Sequence, residues 1–176
     1  PFVDALSTIL DPSLPLTVGE WEEWGNPLSS RAVFDAMSRY TPYENVPDGA
    51  LLPAIMATTS VNDTRVEFVE PTKWVQRLRE ATGQVPSTDE AGGSTPARDP
   101  LERPIILRTE MVAGHAGPSG REGRWAARCE EFAFALGQVG VTSVSAVEAL
   151  TSSTRRAAAS RVGAVTVSAH AFSASK

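Results

Sequence analysis

Two loop residues could carry chemistry: Asp63, in the segment Ser60-Val-Asn-Asp-Thr-Arg, and His115, in Ala113-Gly-His-Ala-Gly-Pro-Ser-Gly. A serine hydroxyl is a poor nucleophile near neutral pH. An imidazole must take its proton, and a carboxylate must hold the imidazole's tautomer and stabilise its cation. Acid first and histidine later is the order in which these two groups follow the nucleophile in an α/β-hydrolase. A Gly-x-Ser-x-Gly turn ahead of both is not present. Ser7, Ser13, Ser29, Ser30, Ser38 and Ser60 precede Asp63 without glycines at that spacing. Ser94 has Pro96 where a glycine is needed and falls between acid and base, and Ser119 follows the histidine. On spacing alone two readings stay open, since Asp63 after Asn62 also suits a turn or helix cap, and a histidine in a glycine-rich loop is often only a loop residue.

Other chemistries find less support. His115, His170 and Cys129 are too few nitrogen and sulfur ligands for a zinc site. Gly92-Gly93 lacks the Gly-Lys-Ser/Thr that completes a phosphate loop and does not open a helix. No metal and no cofactor is therefore expected. A net charge of −5 and a pI near 5.1 repel phosphate backbones and anionic lipid, so neither nucleic acid nor a membrane is an expected partner. The longest apolar stretches, residues 51–57 and 133–136, fall far short of the ~20 residues of a membrane-spanning helix. A single cysteine allows no internal disulfide and no leader precedes Phe2, so a cytoplasmic location is the expectation. In Gly19-Glu-Trp-Glu-Glu-Trp-Gly, read as extended, Glu20 and Glu22 point to one side and Glu23 to the other. That pattern fits a solvated acidic loop or a pocket for a cation.

The elements that must position Asp63 and His115 follow from the apolar pattern. Residues 51–59 and 105–109 are apolar or β-branched runs bounded by turn residues, and read as buried strands. After the first, Trp74, Val75, Leu78 and Ala81 recur at helical spacing up to Gly83, with Pro71 suited to the first turn. After the second, Trp125, Cys129, Phe132, Ala133 and Leu136 do the same. Two strand-loop-helix units in succession predict an α/β fold, a parallel sheet with flanking helices, in which the loops at the strands' carboxyl ends carry the chemistry. The first 50 residues are less regular. They read as an opening strand at residues 2–4, the acidic segment, and a short helix at 30–39. Residues 82–103, rich in Gly, Pro, Ser and acids, read as a surface excursion. Charge then divides the chain: residues 1–137 carry −8, and the Ala/Ser/Thr-rich residues 138–176 carry +3. The first part is the expected folded domain, and the second, which includes His170, a low-complexity and flexible tail.

Seven segments together resemble the carboxyl-terminal catalytic region of the prolyl oligopeptidase family of serine peptidases, and within it the oligopeptidase B group. They are Pro1-Phe-Val-Asp, Leu10-Asp-Pro-Ser-Leu-Pro-Leu-Thr, Gly19-Glu-Trp-Glu-Glu-Trp-Gly-Asn-Pro, Tyr40-Thr-Pro-Tyr-Glu-Asn-Val, Asn62-Asp-Thr-Arg-Val, Glu70-Pro-Thr-Lys-Trp-Val and Gly114-His-Ala-Gly-Pro-Ser-Gly-Arg. The resemblance covers residues 1–137 and implies the carboxyl-terminal part of an α/β-hydrolase fold. It implies that Asp63 and His115 are the acid and base of a Ser-His-Asp triad, and that Arg65 grips a substrate carbonyl. Glu20 and Glu22 would receive the Lys or Arg side chain before the scissile bond of a short basic peptide, with Phe2 lining that pocket. A carboxylate pair in such a pocket is costly until a cation arrives. It further implies that the nucleophile, in the upstream half of the catalytic domain, and a β-propeller lie outside this chain, which is expected to be inactive by itself. Ser60 and Ala116 stand where the family has glycine. Two alternatives remain: a nonenzymatic remnant binding cationic peptides through Glu20 and Glu22, and a hydrolase of other specificity, such as an esterase.

Overall fold

The computed structural model describes residues 1–85, 87–88, 94–95, 102–143 and 145. Along them run α1 (Ala5–Leu10), α2 (Thr17–Trp24), α3 (Arg31–Tyr40), β1 (Ile55–Ser60), α4 (Val69–Ala81), β2 (Ser87–Thr88), β3 (Ser94–Thr95), β4 (Ile105–Glu110) and α5 (Arg121–Gln138). The chain divides into two compact units, Pro1–Glu131 and Phe132–Lys176, and α5 begins in the first and ends in the second.

The first unit is organised by one parallel pairing, in which β1 lies beside β4 from Ile55 opposite Ile105 to Ser60 opposite Glu110. Both strands start just after a proline, Pro53 and Pro104, which cannot donate to a ladder. The Ile55 N–H closes the start of the pair on the Pro104 carbonyl at 2.8 Å. Parallel strands need a crossover, and α4 supplies it. Its buried Pro71, Val75, Leu78 and Ala81 follow helical spacing. Val75, Leu78 and Ala81 pack with Val46, Ala57 of β1 and Ile105 of β4 into one core cluster. Glu70 in the first turn and Arg79 in the last complement the helix dipole. Arg79 also donates Nε to the Ile105 carbonyl at 2.9 Å. Beyond α4, Gln84 Nε2 donates to the Arg103 carbonyl at 2.7 Å, so the two ends of the excursion meet. Most of that excursion, and the expected tail beyond residue 145, lie outside the described residues. What is described within the excursion is a two-residue antiparallel pair, β2 with β3.

A second cluster, Ala5, Leu6, Ile9 and Met37, joins α1 to α3, with Phe2, Trp21, Val33 and Phe34 packed against it. α3 forms where the sequence predicts, with the Ser30 hydroxyl accepting from the Val33 N–H as its cap. Gly25, at φ +88°, ends α2, and a side chain there would meet Val33 Cγ1 at 2.9 Å.

Three expectations are corrected. Residues 2–4 form no strand: the Val3 and Asp4 N–H groups donate to the Glu70 carboxylate, and the Val3 carbonyl accepts from the Tyr43 N–H, so the backbone is satisfied without a strand partner. The acidic segment read as extended is the helix α2. Its reason is two hydrogen bonds four residues apart, Thr17 Oγ1 to the Thr8 carbonyl at 2.8 Å and Trp21 Nε1 to the Ile9 carbonyl at 3.0 Å, which put both residues on the face toward α1. The third concerns α5, which forms as expected but buries none of its described side chains. Trp125 and Phe132 are about 60% exposed, at 62% and 61%. Among the described residues, no helix is long and apolar enough to cross a membrane.

The α4 seam is the part of this fold that a cavity should damage most. Leu78→Ala is expected to lower the unfolding free energy by ~2–5 kcal/mol, read from urea titration. A loss no larger than that of an exposed α4 variant such as Gln76→Ala would mean that α4 does not hold the strand pair.

Candidate active site

Parallel strands deliver the loops that follow them to the same edge of the sheet. Here the two loops are also tied to each other. The Val61 N–H donates to the Glu110 carbonyl at 2.9 Å, and Asn62 Nδ2 to the Val112 carbonyl at 3.0 Å. The buried Ser60 hydroxyl donates to the Ala113 carbonyl. At Gly114 an added Cβ would stand 3.2 Å from the Asn62 carbonyl oxygen, tighter than ordinary contact. The glycine before His115 therefore lets its loop approach the loop of Asp63 this closely.

Asp63 and His115 meet in that junction. His115 Nδ1 lies 3.0 Å from both Asp63 Oδ1 and Oδ2. Asp63 Oδ1 also accepts the backbone N–H groups of Arg65, at 2.9 Å, and Val66, at 3.0 Å. Its side chain is 11% exposed and that of His115 48%. Partial burial pushes the Asp63 carboxyl up, but the Val66 and Arg65 amides and then His115 outweigh it, leaving Asp63 below the usual carboxylate range. An ionised Asp63 can only accept, so Nδ1 carries the imidazole proton and Nε2 is the basic nitrogen. One of the two loop readings left open by spacing, an aspartate capping a turn, is thus present together with the dyad.

A cavity of about 410 Å³ opens beside the pair, with Phe2, Thr59, Val66 and Pro118 among its walls. Besides Asp63, its charged side chains are Arg108, Glu110 and Glu131. Arg108 bonds Glu110 at 3.1 Å and Glu130 at 2.8 Å, fastening β4 to the middle of α5. The Val112 amide, and then Arg108, hold the Glu110 carboxyl below its usual range.

Of the residues singled out from the sequence, Asp63, His115 and Phe2 line this cavity. Phe2 also contacts the Trp24 ring, 6.2 Å between centroids. Arg65 is exposed and is not among the lining residues; its contribution is the backbone N–H given to Asp63. Glu20, half-buried, and Glu22, exposed, lie outside the cavity lining. On the helix α2, two positions apart, they do not share the face that an extended segment would give them. Sequence reasoning missed Glu70. A glutamate in the first turn of a helix satisfies the dipole as a surface residue, so nothing in its spacing announces that this one is 2% exposed and bonded to residues 66 and 67 positions away.

Comparison with known proteins agrees with this architecture. The sequence model of the prolyl oligopeptidase family matches residues 1–142. The chain is 40% identical over 144 residues to dipeptidyl aminopeptidase BI of Pseudoxanthomonas mexicana, covering 81% of this chain and 17% of that protein. It is 40% identical over 141 residues to protease 2 of Moraxella lacunata, covering 80% and 18%. Among solved structures it is similar to oligopeptidase B from Leishmania major, with TM-score 0.65 and 36% identity over 81% of this chain and 17% of that one. Oligopeptidase B from Trypanosoma brucei with covalently bound antipain gives TM-score 0.63 and 34% identity over 80% and 17%. The chain spans less than a fifth of the length of each of these relatives.

Two outcomes test the geometry. A carboxyl whose pKa is lowered by folding stabilises the fold above the unfolded carboxylate range, and that stability is lost as pH falls through the lowered value. Urea midpoints of the wild type and Asp63→Asn should therefore differ at neutral pH and converge below about pH 4; a gap that stays constant into acid would show that Asp63 is not held as described. Gly114→Ala should push the His115 loop off Asn62 and move the His115 ring signals in NMR spectra without unfolding the core. Unchanged ring signals would refute the close approach.

Proposed function

The chain belongs to the prolyl oligopeptidase family of serine peptidases, and on that premise we propose that Asp63 and His115 are the acid and base of a Ser-His-Asp triad that hydrolyses peptide bonds. The observation carrying this reading is the Nδ1 contact of His115 with an ionised Asp63 at the carboxyl ends of parallel strands. Asp63 fixes the tautomer that leaves Nε2 basic. Nε2 takes the serine proton as the hydroxyl attacks the scissile carbonyl, and returns it to the leaving amine, while Asp63 stabilises the imidazolium between the two steps.

The nucleophile comes from outside these 176 residues. Ser60, the serine lining the cavity, already spends its hydroxyl on the Ala113 carbonyl, and no serine in the sequence stands in a Gly-x-Ser-x-Gly turn. Catalysis then requires the upstream half of the catalytic domain, and a propeller would limit access to short peptides. Preference for Lys or Arg before the scissile bond rests on the resemblance of Glu20, Glu22 and Phe2 to the family's pocket, with Arg65 holding a substrate carbonyl; Phe2 has the added support of lining the cavity. The 40% identity to a protein named as a dipeptidyl aminopeptidase favours a second mode, release of dipeptides from a free amino terminus.

The test is hydrolysis of a fluorogenic Arg-Arg peptide amide, with blocked and with free amino terminus. It compares this chain alone with Moraxella lacunata protease 2 carrying this chain in place of its matching segment. Cleavage by the chimera alone, reduced at least about 10⁴-fold by His115→Ala, is the expected result. The blocked substrate distinguishes internal cleavage from dipeptide release. Cleavage by the isolated chain, lost in His115→Ala, would place the nucleophile within these residues and overturn the reading.

A further inference from the structure

The cavity wall formed by Phe2 has no strand or helix to hold it, because Pro1 to Asp4 precede α1 and pair with no strand. The Glu70 carboxylate holds the two amides of this segment, beside the Tyr43 N–H on the Val3 carbonyl and the pairing of Asp4 with Lys73. Glu70 Oε2 accepts the Val3 N–H at 3.1 Å and the Asp4 N–H at 3.0 Å, and Oε1 accepts the Thr8 hydroxyl at 2.6 Å. Glu70 is 2% exposed, so these bonds form where water does not compete. One turn along α4, Lys73 pairs with the buried Asp4 and lies over the Tyr43 ring, 4.6 Å from its centroid. The Asp4 hydrogen bond, against a smaller cost of burial, raises the Lys73 pKa and keeps it charged.

Glu70 also stands on the helix that begins directly after the loop of Asp63. One side chain thus links the two things a bound peptide must be aligned between, the wall at Phe2 and the dyad. We propose that Glu70 is a positioning residue for substrate: through the Val3 and Asp4 amides it sets the distance of the Phe2 ring from Asp63 and His115. This deepens the peptidase reading and rests on it, because it takes Phe2 as a wall of the substrate pocket.

The arrangement of acceptors makes a sharp prediction about replacements. A glutamine can put its carbonyl oxygen where Oε2 accepts both amides and turn its NH₂ toward the Thr8 oxygen, keeping the geometry without the charge. A leucine keeps the bulk and leaves both buried amides without an acceptor.

The first measurement uses this chain as it is. Amide hydrogen exchange at Val3 and Asp4, and the NMR cross-peak between the Phe2 and Trp24 rings, are followed in wild type, Glu70→Gln and Glu70→Leu, with Val75 and Leu78 amides as controls. The expected result is that Glu70→Leu speeds exchange at Val3 and Asp4 at least tenfold and removes the ring cross-peak. Val75 and Leu78 stay protected, and Glu70→Gln resembles wild type. Unchanged Val3 and Asp4 amides, or equal loss at Val75 and Leu78, would overturn the proposal.

The second measurement uses the chimera with the blocked Arg-Arg amide. Glu70→Leu should raise KM at least tenfold with kcat within about threefold, Glu70→Gln should restore it, and Phe2→Ala combined with Glu70→Leu should cost no more than the larger single loss. Additive losses would mean that Glu70 does not act through Phe2, overturning the proposal. Amides that respond as expected beside a Phe2→Ala variant of unchanged KM would retain the clamp but refute its role toward substrate. Cleavage that survives His115→Ala would instead sink the triad reading, and the exchange data would still decide the clamp.

Discussion

A slip of one residue between β1 and β4 would carry one loop ~3.3 Å along the other and turn its strand's side chains to the opposite face. No hydrogen bond survives such a step. The contact between Asp63 and His115 therefore hangs on the register that sets Ser60 opposite Glu110. Beyond the ladder, that register is enforced by the Ser60 hydroxyl and the Asn62 amide on the neighbouring loop, and by the core seam of Val75, Leu78 and Ala81. Serine and alanine stand at 60 and 116, where the family resemblance leads one to expect glycine. Ser60 turns its departure into a cross-tie, and Gly114 keeps the close approach.

The strand-loop-helix units were legible because they depend on local rules: apolar or β-branched runs bounded by turn residues, apolar residues three and four apart, and a glycine to stop the helix. With them came the parallel pairing, and with that the placement of Asp63 and His115 at one edge. The first 25 residues were not legible, for an equally physical reason. α2 folds as a helix because Thr17 and Trp21 reach carbonyls at the end of α1, two side-chain bonds between neighbouring helices that apolar periodicity does not register. Residues 2–4 have the composition of a strand but find their acceptor in a side chain 66 and 67 positions away. The extended reading of Glu20 and Glu22 falls with α2, since a pair that shares one side of an extended segment is split by a helix.

α5 shows the same limit from the other side. Its apolar positions recur as in a helix that covers a sheet, yet its described side chains are not buried, and Arg108 with Glu130 ties its middle to β4. Periodicity reports which face a helix would bury; whether a partner surface is there is a separate matter.

The hydrogen bond from Gln84 to the Arg103 carbonyl joins the two ends of the stretch between α4 and β4. With the neck closed at that point, the entropy of closing the intervening loop rises by only roughly 0.6 kcal/mol for each doubling in length. Insertions and deletions can therefore accumulate there across generations at little energetic cost, while the loops of Asp63 and His115, cross-tied atom by atom, admit almost none. The fold thus separates a segment free to drift in length from two that are bound to keep theirs.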